Sequence, residues 1–286
     1  MKSEEQYNWD YVYDANYETF AASLLRIKRS QQWCYIENAI RRKHGNFNNL
    51  RSIEIGSGMG KVSALLALMG VNVTLVDNNK KALELAGNLF SYIGCKGKFV
   101  YADALALPEA LWNNYDIALS LGTGEHFTGV NRKRIIESHY KVLKTKGVVF
   151  FIVPNAACLR YNVLMNISAF SGGSLEKEFP FSKKELVGLA QSVGFANVYA
   201  VGLNYKEAKE RFKFGSLVRG AANQYFPRLT RYIRKLRKRE HLKTHQDVKQ
   251  INFNECRETL ITPILELKAS RFDNLFGYAI MLTGEK

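Results

Sequence analysis

The sequence predicts an α/β fold in which a mostly parallel β-sheet carries helices on both faces. From Arg51 onward, short runs rich in Ile, Val, Leu and Phe alternate with segments long enough to form helices. These runs are apolar almost throughout, which is typical of parallel strands covered on both sides. A glycine-rich turn at residues 56–60 joins the first strand to the first helix. In an open parallel sheet, such a turn lies at the end of the strands where ligands bind.

The predicted strands and helices follow one another along the chain. The strands cover 51–55, 71–76, 98–101, 115–120, 147–153, 196–203 and 275–283. The helices that accompany them cover 60–69, 79–92, 105–112, 130–144 and 182–193. Ser182 is the predicted N-cap of the last of these helices, with Glu185 at its third position. Before the sheet, a further helix is predicted at 20–42, and His44-Gly45-Asn46 marks its end.

The composition is that of a protein with a full hydrophobic core. The 286 residues are 47% hydrophobic, and no apolar run approaches the roughly 20 residues of a membrane-spanning helix. Residues 1–5 contain acids where a signal peptide has basic residues. The four cysteines have no C-x-x-C spacing, which argues against a zinc site and against a disulfide framework. We therefore predict a cytoplasmic protein.

The formal net charge of +15 is concentrated in one segment. Residues 206–250 contain 14 Lys and Arg against 4 Asp and Glu, a net charge of +10. Within this segment, residues 227–239 predict an amphipathic helix with seven basic residues and an apolar stripe formed by Leu229, Tyr232, Ile233 and Leu236. This helix either packs its stripe on the protein, or it binds an anionic partner. That partner would be an anionic membrane or a lipid-linked substrate, an anionic soluble substrate, or, least favoured, nucleic acid.

The turn after the first strand contains the most specific motif. Glu54, Gly56, Gly58 and Gly60 form the pattern E-x-G-x-G-x-G, and Lys61 follows. The dinucleotide-binding pattern G-x-G-x-x-G requires glycine in place of Lys61, and the phosphate-binding G-K-[ST] is absent. We expect a cradle of backbone N–H groups that a ligand can approach because no Cβ intervenes; alternatively, the turn is a tight connection with incidental glycines. The pattern resembles motif I of the class I S-adenosylmethionine-dependent methyltransferases.

Later strand ends extend the resemblance. A carboxylate at Asp77, which ends the second strand, can accept two hydrogen bonds from a ribose diol or can cap the following helix. Several features follow one another in the order and spacing of class I methyltransferases. After the glycine turn come Asp77, Asp103 behind the third strand, the strand from Asp116 to Ser120 that leads into Glu125-His126-Phe127, and Val153-Pro154-Asn155. The most similar subgroup is the small-molecule type that includes quinone-ring methyltransferases. The resemblance covers residues 45–203 and the final strand.

This resemblance implies a Rossmann-like seven-stranded methyltransferase sheet, mostly parallel with the last strand antiparallel. It also implies S-adenosylmethionine as cofactor and S-adenosylhomocysteine as product. Asp77 would hold the ribose hydroxyls, Asp103 the adenine, and the backbone at the end of the fourth strand the methionine part. The implied cofactor-binding residues are Glu54, Gly56, Ser57, Gly58, Gly60, Asp77, Asn78, Asp103, Ala104, Ser120 and Leu121.

The sequence pattern and the resemblance together predict how the chain is divided. Residues 1–50 form an N-terminal helical cap that either lies across the mouth of the site or covers a sheet edge. Residues 51–203 form the cofactor-binding core, and residues 275–286 contain its final strand. In this fold the last two strands form a hairpin, whereas 71 residues separate them here. Residues 204–274 are therefore predicted to be a basic, mainly helical insertion.

Two side chains after the fourth strand are candidate catalytic bases. His126 has the intrinsic pKa that proton transfer near neutrality requires, and Glu125 precedes it. Alternatively, His126 packs the loop or contacts the substrate, and Glu125 binds the helix that follows. Tyr11, Tyr13 and Tyr17 are predicted to shape the pocket. No set of His, Asp and Glu has metal-ligand spacing, so no metal site is predicted.

The absence of two motifs narrows the classes of molecule that could accept the methyl group. The [DNS]-P-P-[YF] run of enzymes that methylate base amines is replaced by Ser-Leu-Gly-Thr, and no cysteine stands there to attack cytosine C5. We therefore favour methyl transfer to oxygen of a small-molecule or lipid-linked acceptor, with amine or carbon as further options. The alternatives are an RNA methyltransferase that uses the basic insertion, or a non-catalytic cofactor-binding module. If the insertion binds lipid, the protein would be peripheral to the inner face of the membrane.

Overall fold

A computed structural model describes residues 17–159, 161–163, 178–204, 253–263 and 269–286. Tyr11 and Tyr13 lie outside the described residues, as do the side chain of Tyr17 and the predicted basic helix at 227–239.

The described chain contains a seven-stranded sheet. Its strands are β1 (Arg51–Ile55), β2 (Asn72–Asp77), β3 (Gly97–Tyr101), β4 (Tyr115–Leu121), β5 (Leu143–Pro154), β6 (Ala196–Leu203) and β7 (Ala279–Glu285). They lie in the order β3-β2-β1-β4-β5-β7-β6. The first five strands pair in parallel, whereas β7 pairs antiparallel with both β5 and β6. The predicted fold class is confirmed.

Helices cover both faces of this sheet. They are α1 (Tyr17–Lys28), α2 (Gln31–His44), α3 (Lys61–Leu68), α4 (Lys80–Tyr92), α5 (Asn131–Val142), α6 (Lys183–Val193), α7 (Phe253–Ile261) and α8 (Arg271–Phe276). Along β5, Phe150 belongs to the apolar cluster that includes residues of α1, α2, α3, α4 and α7, while Phe151 belongs to the cluster that includes residues of α5 and α6. This alternation explains why β5 is apolar from residue 147 to its end.

The N-terminal segment forms two helices where the sequence predicted one. Ser30 breaks the helix because its side chain accepts a hydrogen bond from Trp33 N, at 3.1 Å, and so starts α2. Buried Glu37 of α2 then joins both helices, accepting from Lys28 Nζ at 2.8 Å and from Trp33 Nε1 at 2.7 Å. As predicted, Gly45 ends α2, with φ of 76°. The resulting hairpin packs α1 against α3, the helix that follows the glycine turn.

Two other predicted elements differ from the structure. The last strand was expected at 275–283 but begins at Ala279, because residues 275 and 276 belong to α8. Ser270 and Asp273 form a capping box that starts this helix. The helix expected at 105–112 is a short 3-10 turn at Glu109–Leu111, since Pro108 cannot donate a hydrogen bond within a helix. In contrast, Ser182 caps α6 as predicted, accepting from Glu185 N.

Candidate functional site

The glycine turn lies between the ends of β2 and β4. Gly56, Gly58 and Gly60 have φ values of 68°, 51° and 63°, a region that other residues adopt only with strain. A Cβ at Gly56 would overlap the side chain of Thr123, and a Cβ at Gly60 would overlap Leu75. Gly56 and Gly60 are therefore required both by their backbone conformation and by the close approach of neighbouring side chains, and Gly58 by its backbone conformation.

The backbone N–H groups of this turn bond within the protein, which corrects the expectation of a cradle of N–H donors. The N–H groups of Gly56 and Ser57 both donate to the carbonyl of Val76, at 2.9 and 3.0 Å. Gly58 N donates to Asp77 Oδ2 at 2.7 Å, and Gly60 N donates to the carbonyl of Ser57 at 2.8 Å. These four donors are therefore already paired within the protein, and the side chains of Thr123 and Leu75 fill the space beside Gly56 and Gly60.

Asp77 fastens the turn to the end of β2. Besides Gly58 N, its carboxylate accepts from Asn79 N at 2.9 Å through Oδ1. Burial raises the pKa of Asp77, while hydrogen bonds from the backbone of Gly58, Asn79 and Asn78 oppose that rise. Asp77 does not cap α4; Asn79 does, by accepting from Ala82 N at 2.9 Å. Asp77 thus borders the turn without serving as a helix cap.

Glu54 lies buried beneath the turn and joins β1 to α3. Its Oε2 accepts from Ser63 N at 3.2 Å and from Ser63 Oγ at 2.5 Å. Burial raises the pKa of Glu54 to about 7, with a smaller contribution from the charge of Asp77. The hydrogen bonds from Ser63 act in the opposite direction. Glu54 therefore fixes the start of α3 relative to the strand before the turn.

The end of β4 forms the opposite wall. Thr123 Oγ1 donates to the carbonyl of Gly56 at 3.2 Å, which ties the two loops together. Ser120 is buried near the end of β4, which pairs with β1, and the following residue, Leu121, is half-buried. Within the described part of the chain, the buried hydroxyls of Ser57 and Ser120 have no hydrogen-bond partner. Such atoms are usually paired, so these two hydroxyls keep unused hydrogen-bonding capacity next to the glycine turn and at the end of β4.

Glu125 and His126 follow in a short 3-10 turn. Glu125 is buried, and its backbone carbonyl accepts from Phe179 N at 2.8 Å. His126 forms a hydrogen bond with the backbone of Gly122. Burial lowers the pKa of His126, an effect that outweighs the opposing hydrogen bond. The imidazole is therefore held mainly neutral near pH 7 and is able to accept a proton.

Asp103 and Ala104 follow β3, one strand beyond Asp77. Asp103 is exposed, and its Oδ1 accepts from Leu105 N at 2.8 Å. Asn78 is also exposed, beside Asp77. Since β3, β2, β1 and β4 are neighbouring parallel strands, all of the residues predicted to bind the cofactor lie at or next to one end of the sheet, together with Glu125 and His126.

Sequence reasoning missed Thr123 and Ser63. Neither residue has a local sequence signal. The partner of Thr123, Gly56, lies 67 residues earlier in the chain, and the partner of Ser63, Glu54, lies on the other side of the glycine turn. Among the described residues, no group of three or more His, Cys, Asp and Glu could hold a metal ion. In that same part of the chain, no helix has the length and apolar character to cross a bilayer.

Comparisons with known proteins find similarity in the region that contains the glycine turn and the ends of β2, β3 and β4. Residues 53–147 match a family model described as a methyltransferase domain. The ubiquinone biosynthesis O-methyltransferase of Pelagibacter ubique is 25% identical over 139 residues, covering 48% of this chain and 55% of that protein. The Rickettsia prowazekii protein of the same name is 28% identical over 123 residues, covering 42% and 46%. The chain thus spans about half the length of these curated relatives.

The fold is also found among solved structures. A SAM-dependent methyltransferase from Archaeoglobus fulgidus superposes with a TM-score of 0.51 at 16% identity, over 88% of this chain and 93% of that one. At this identity the likeness concerns the fold alone. It agrees with the strand order and the antiparallel β7 described above.

Proposed function

We propose that this chain, whose residues 53–147 match a methyltransferase-domain model, is a class I S-adenosylmethionine-dependent methyltransferase that transfers a methyl group to oxygen of a small-molecule or lipid-linked acceptor. The observation that carries the proposal is the position of His126, half-buried in the 3-10 turn that follows β4 and hydrogen-bonded to the backbone of Gly122. The names of the curated relatives favour oxygen as the methylated atom.

The residues around the glycine turn fit the cofactor. When bound, S-adenosylmethionine supplies an activated methyl group on a sulfonium centre. Asp77 would accept from the ribose hydroxyls while it keeps Gly58 in place, and Asp103 would accept from the adenine amine. The position of Asp77 beside the glycine turn and the unpaired buried hydroxyls of Ser57 and Ser120 support this fit.

The remaining task is to hold the acceptor and remove its proton. A hydroxyl that is methylated on oxygen loses its proton, and a positioned imidazole accelerates such a step by about 10²–10⁴-fold. His126 would accept this proton, and Glu125 lies next to it in the same turn. Alignment of the hydroxyl with the methyl group at about 3–3.5 Å supplies the rest of the catalysis.

The test is formation of S-adenosylhomocysteine and of a methylated product from fractionated small-molecule and lipid extracts. With an active fraction in hand, His126→Asn should lower kcat by about 10²-fold or more while leaving S-adenosylhomocysteine binding unchanged. The control is His44→Asn, at the end of α2 near the opposite end of the sheet. Since burial lowers the pKa of His126 below 6.5, kcat should fall on acidification only below that pH. An acidic limb above it, or full activity of His126→Asn, would contradict the role of His126.

Two alternatives remain measurable in the same preparation. An RNA methyltransferase would bind RNA with a steep salt dependence, because phosphate contacts release counterions. A non-catalytic module would bind S-adenosylmethionine without producing S-adenosylhomocysteine from any fraction. The RNA alternative depends on residues 206–250, which lie outside the described residues.

A further inference from the structure

The end of the sheet opposite the candidate site is strongly basic. Strands β1, β4 and β5 begin at this end, and the antiparallel β7 finishes there. We call this surface the basic end and define it by six basic side chains and two acids: Lys43, Arg51, Lys141, Lys144, Lys146 and Lys286, with Asp116 and Glu285. Their side chains carry a net charge of +4. Because the residues are scattered along the chain, only the fold brings them together.

Hydrogen bonds join one half of the basic end. The N–H group of Lys146 donates to the carbonyl of Lys286 at 2.7 Å, which ties the start of β5 to the residue after β7. Asn113, just before β4, accepts from Lys286 Nζ at 2.7 Å. The N–H group of Asn113 donates to the carbonyl of Lys141 at 2.9 Å. Lys141, Lys146 and Lys286 therefore lie close to one another.

The two acids join the other half. Asp116 accepts from Lys144 Nζ at 2.8 Å and from the N–H group of Arg51, also at 2.8 Å. Glu285, which ends β7, accepts from Lys43 Nζ at 2.5 Å. The strands that carry these residues are neighbours in the order β1-β4-β5-β7. At about 4.8 Å between strands, the basic end is a row that spans about 15 Å.

Most of the positive charge of this row has no acidic partner among the described residues. Arg51 Nη1 donates to the side-chain oxygen of Asn114 at 3.3 Å, and Lys286 likewise bonds an amide. Lys141 Nζ lies 5.1 Å from the centre of the Trp112 ring. These partners are neutral, and lysine and arginine have three and five N–H donors. Charge and donors therefore remain for an anionic partner.

The surroundings of the row favour phosphate groups over a bilayer or a protein. The large apolar side chains that the described chain exposes belong to none of α2, α5, β1, β4, β5 and β7, the elements that form the basic end. Membrane-binding surfaces insert such side chains, protein interfaces use them as anchors, and unpaired bases stack on aromatic ones. Cations and amides, in contrast, are the groups that contact the backbone of a nucleic-acid duplex.

We propose that the basic end binds the phosphate backbone of an RNA duplex. A row of about 15 Å faces about four or five successive phosphates of one strand. Exposed Asn113 places an amide among the cations, where it would donate to a ribose 2′-hydroxyl, the group that separates RNA from DNA. The candidate site lies about 20 Å away, at the other end of the strands, so this RNA would anchor the protein rather than accept the methyl group. The proposal does not rest on the proposed function.

The test is fluorescence anisotropy of a labelled RNA duplex of about 20 base pairs, titrated with the full chain at about 50 to 200 mM salt without cofactor or acceptor. The affinity of the wild type should fall steeply as salt rises. The variant Arg51→Gln/Lys146→Gln/Lys286→Gln removes three charges and keeps a polar side chain at each position. It should bind at least about tenfold more weakly at low salt, and its plot of log affinity against log salt should be shallower by about 2–3.

The matched control is Lys80→Gln/Arg134→Gln/Lys184→Gln, which removes the same charge from the opposite end of the sheet. These three residues are exposed, in the first turns of α4, α5 and α6. The control should bind RNA as the wild type does. A DNA duplex of the same sequence should bind the wild type more weakly than the RNA does. Unchanged thermal melts verify that both variants fold.

Four results would overturn the proposal. The first is a wild type without salt-dependent affinity for the RNA duplex. The second is equal affinity of the two triple variants, which would assign binding to net charge or to other residues. The third is equal affinity for RNA and DNA, which would remove the contact with ribose. The fourth is sedimentation with phosphatidylglycerol vesicles that only the first variant loses while its RNA binding is unchanged, which would assign the basic end to a bilayer. None of these results bears on methyl transfer, because binding is measured without a reaction.

Discussion

At the scale of single residues, a comparison of Gly60 with Gly94 separates the two effects that require glycine, a positive φ and a lack of room for a Cβ. Its φ is 63°, and a Cβ there would overlap Leu75; Gly94 has a similar φ of 68° but open space around it. Gly94→Ala should therefore lower the free energy of unfolding by about 1–2 kcal/mol from backbone strain. Gly60→Ala should lower it by about 1–3 kcal/mol more, because the core is overpacked. Urea denaturation of both variants measures the difference, and equal losses would show that the neighbour gives way.

Glu54 makes stability depend on pH. Its pKa is raised from 4.5 to about 7 in the folded protein, so between these values the folded state holds a proton that the unfolded chain has lost. Stability therefore falls as pH rises through this window, by about 3 kcal/mol in all. Glu54→Gln removes this titration while it keeps a carbonyl that can accept from Ser63.

The measurement compares unfolding free energies at about pH 5 and about pH 8, below and above most of that window. The stability of Glu54→Gln relative to the wild type should increase at the higher pH. Exposed Glu84 on α4 offers the control, and Glu84→Gln should follow the wild type at both values. A constant difference between Glu54→Gln and the wild type would mean that Glu54 does not titrate in this window.

At the scale of elements, Arg132 of α5 holds the segment that returns to the sheet before α6. Its Nη1 donates to the carbonyl of Phe179 at 2.9 Å, and its guanidinium lies 3.4 Å from the centre of the Phe181 ring. It also pairs with Glu185 of α6 at 2.8 Å. Phe179 in turn donates to the carbonyl of Glu125, so this clamp supports the 3-10 turn that contains the candidate bases.

Arg132→Lys should weaken the clamp because an ammonium cannot reproduce the planar fork. We expect a loss of about 2 kcal/mol in the free energy of unfolding, the value of one or two charge-assisted hydrogen bonds. Arg134→Lys is the matched control, since Arg134 on the same helix is exposed, and it should stay within about 0.5 kcal/mol of the wild type. If both variants unfold alike, Arg132 does not hold the segment.

Elements were predictable where local pattern and burial agree. Strands β1, β2, β4 and β5 are largely buried, so their apolar runs were visible without the structure. Helix α8 was missed because its exposed Phe272, Leu275 and Phe276 looked like the start of the last strand. The capping signal of Ser270 and Asp273 was present in the sequence, but exposed apolar residues contradict the usual pattern.

The sequence was enough to predict which strand ends form the candidate site, but not the contacts between them. Parallel topology alone brings Asp77, Asp103 and Ser120 to one end of the sheet. The bond from Gly58 N to Asp77, and that from Thr123 to Gly56, depend on how closely separate strand ends approach. No local pattern carries that information, which is why the expected N–H cradle was wrong.

At the scale of the whole molecule, the order of the strands determines where a ligand can bind. The chain runs outward from β1 through β2 to β3, and then returns to place β4 on the other side of β1. Loops leaving β1 and β4 therefore diverge to opposite faces and open a crevice between them. The glycine turn, Asp77 and Thr123 lie at this crevice, and the central claim is that it holds S-adenosylmethionine.

Thermal unfolding with and without S-adenosylhomocysteine tests this claim most directly, using wild type, Asp77→Asn and the control Asp116→Asn. Asp116 bonds Lys144 and Arg51 N at the other end of the sheet. At about 100 times Kd, the ligand should add about 2.7 kcal/mol, raising Tm by about 5 °C or more. Asp77→Asn should lose most of this rise, and Asp116→Asn should keep it. No rise in the wild type would contradict the cofactor site, and the glycine turn would then be a structural connection.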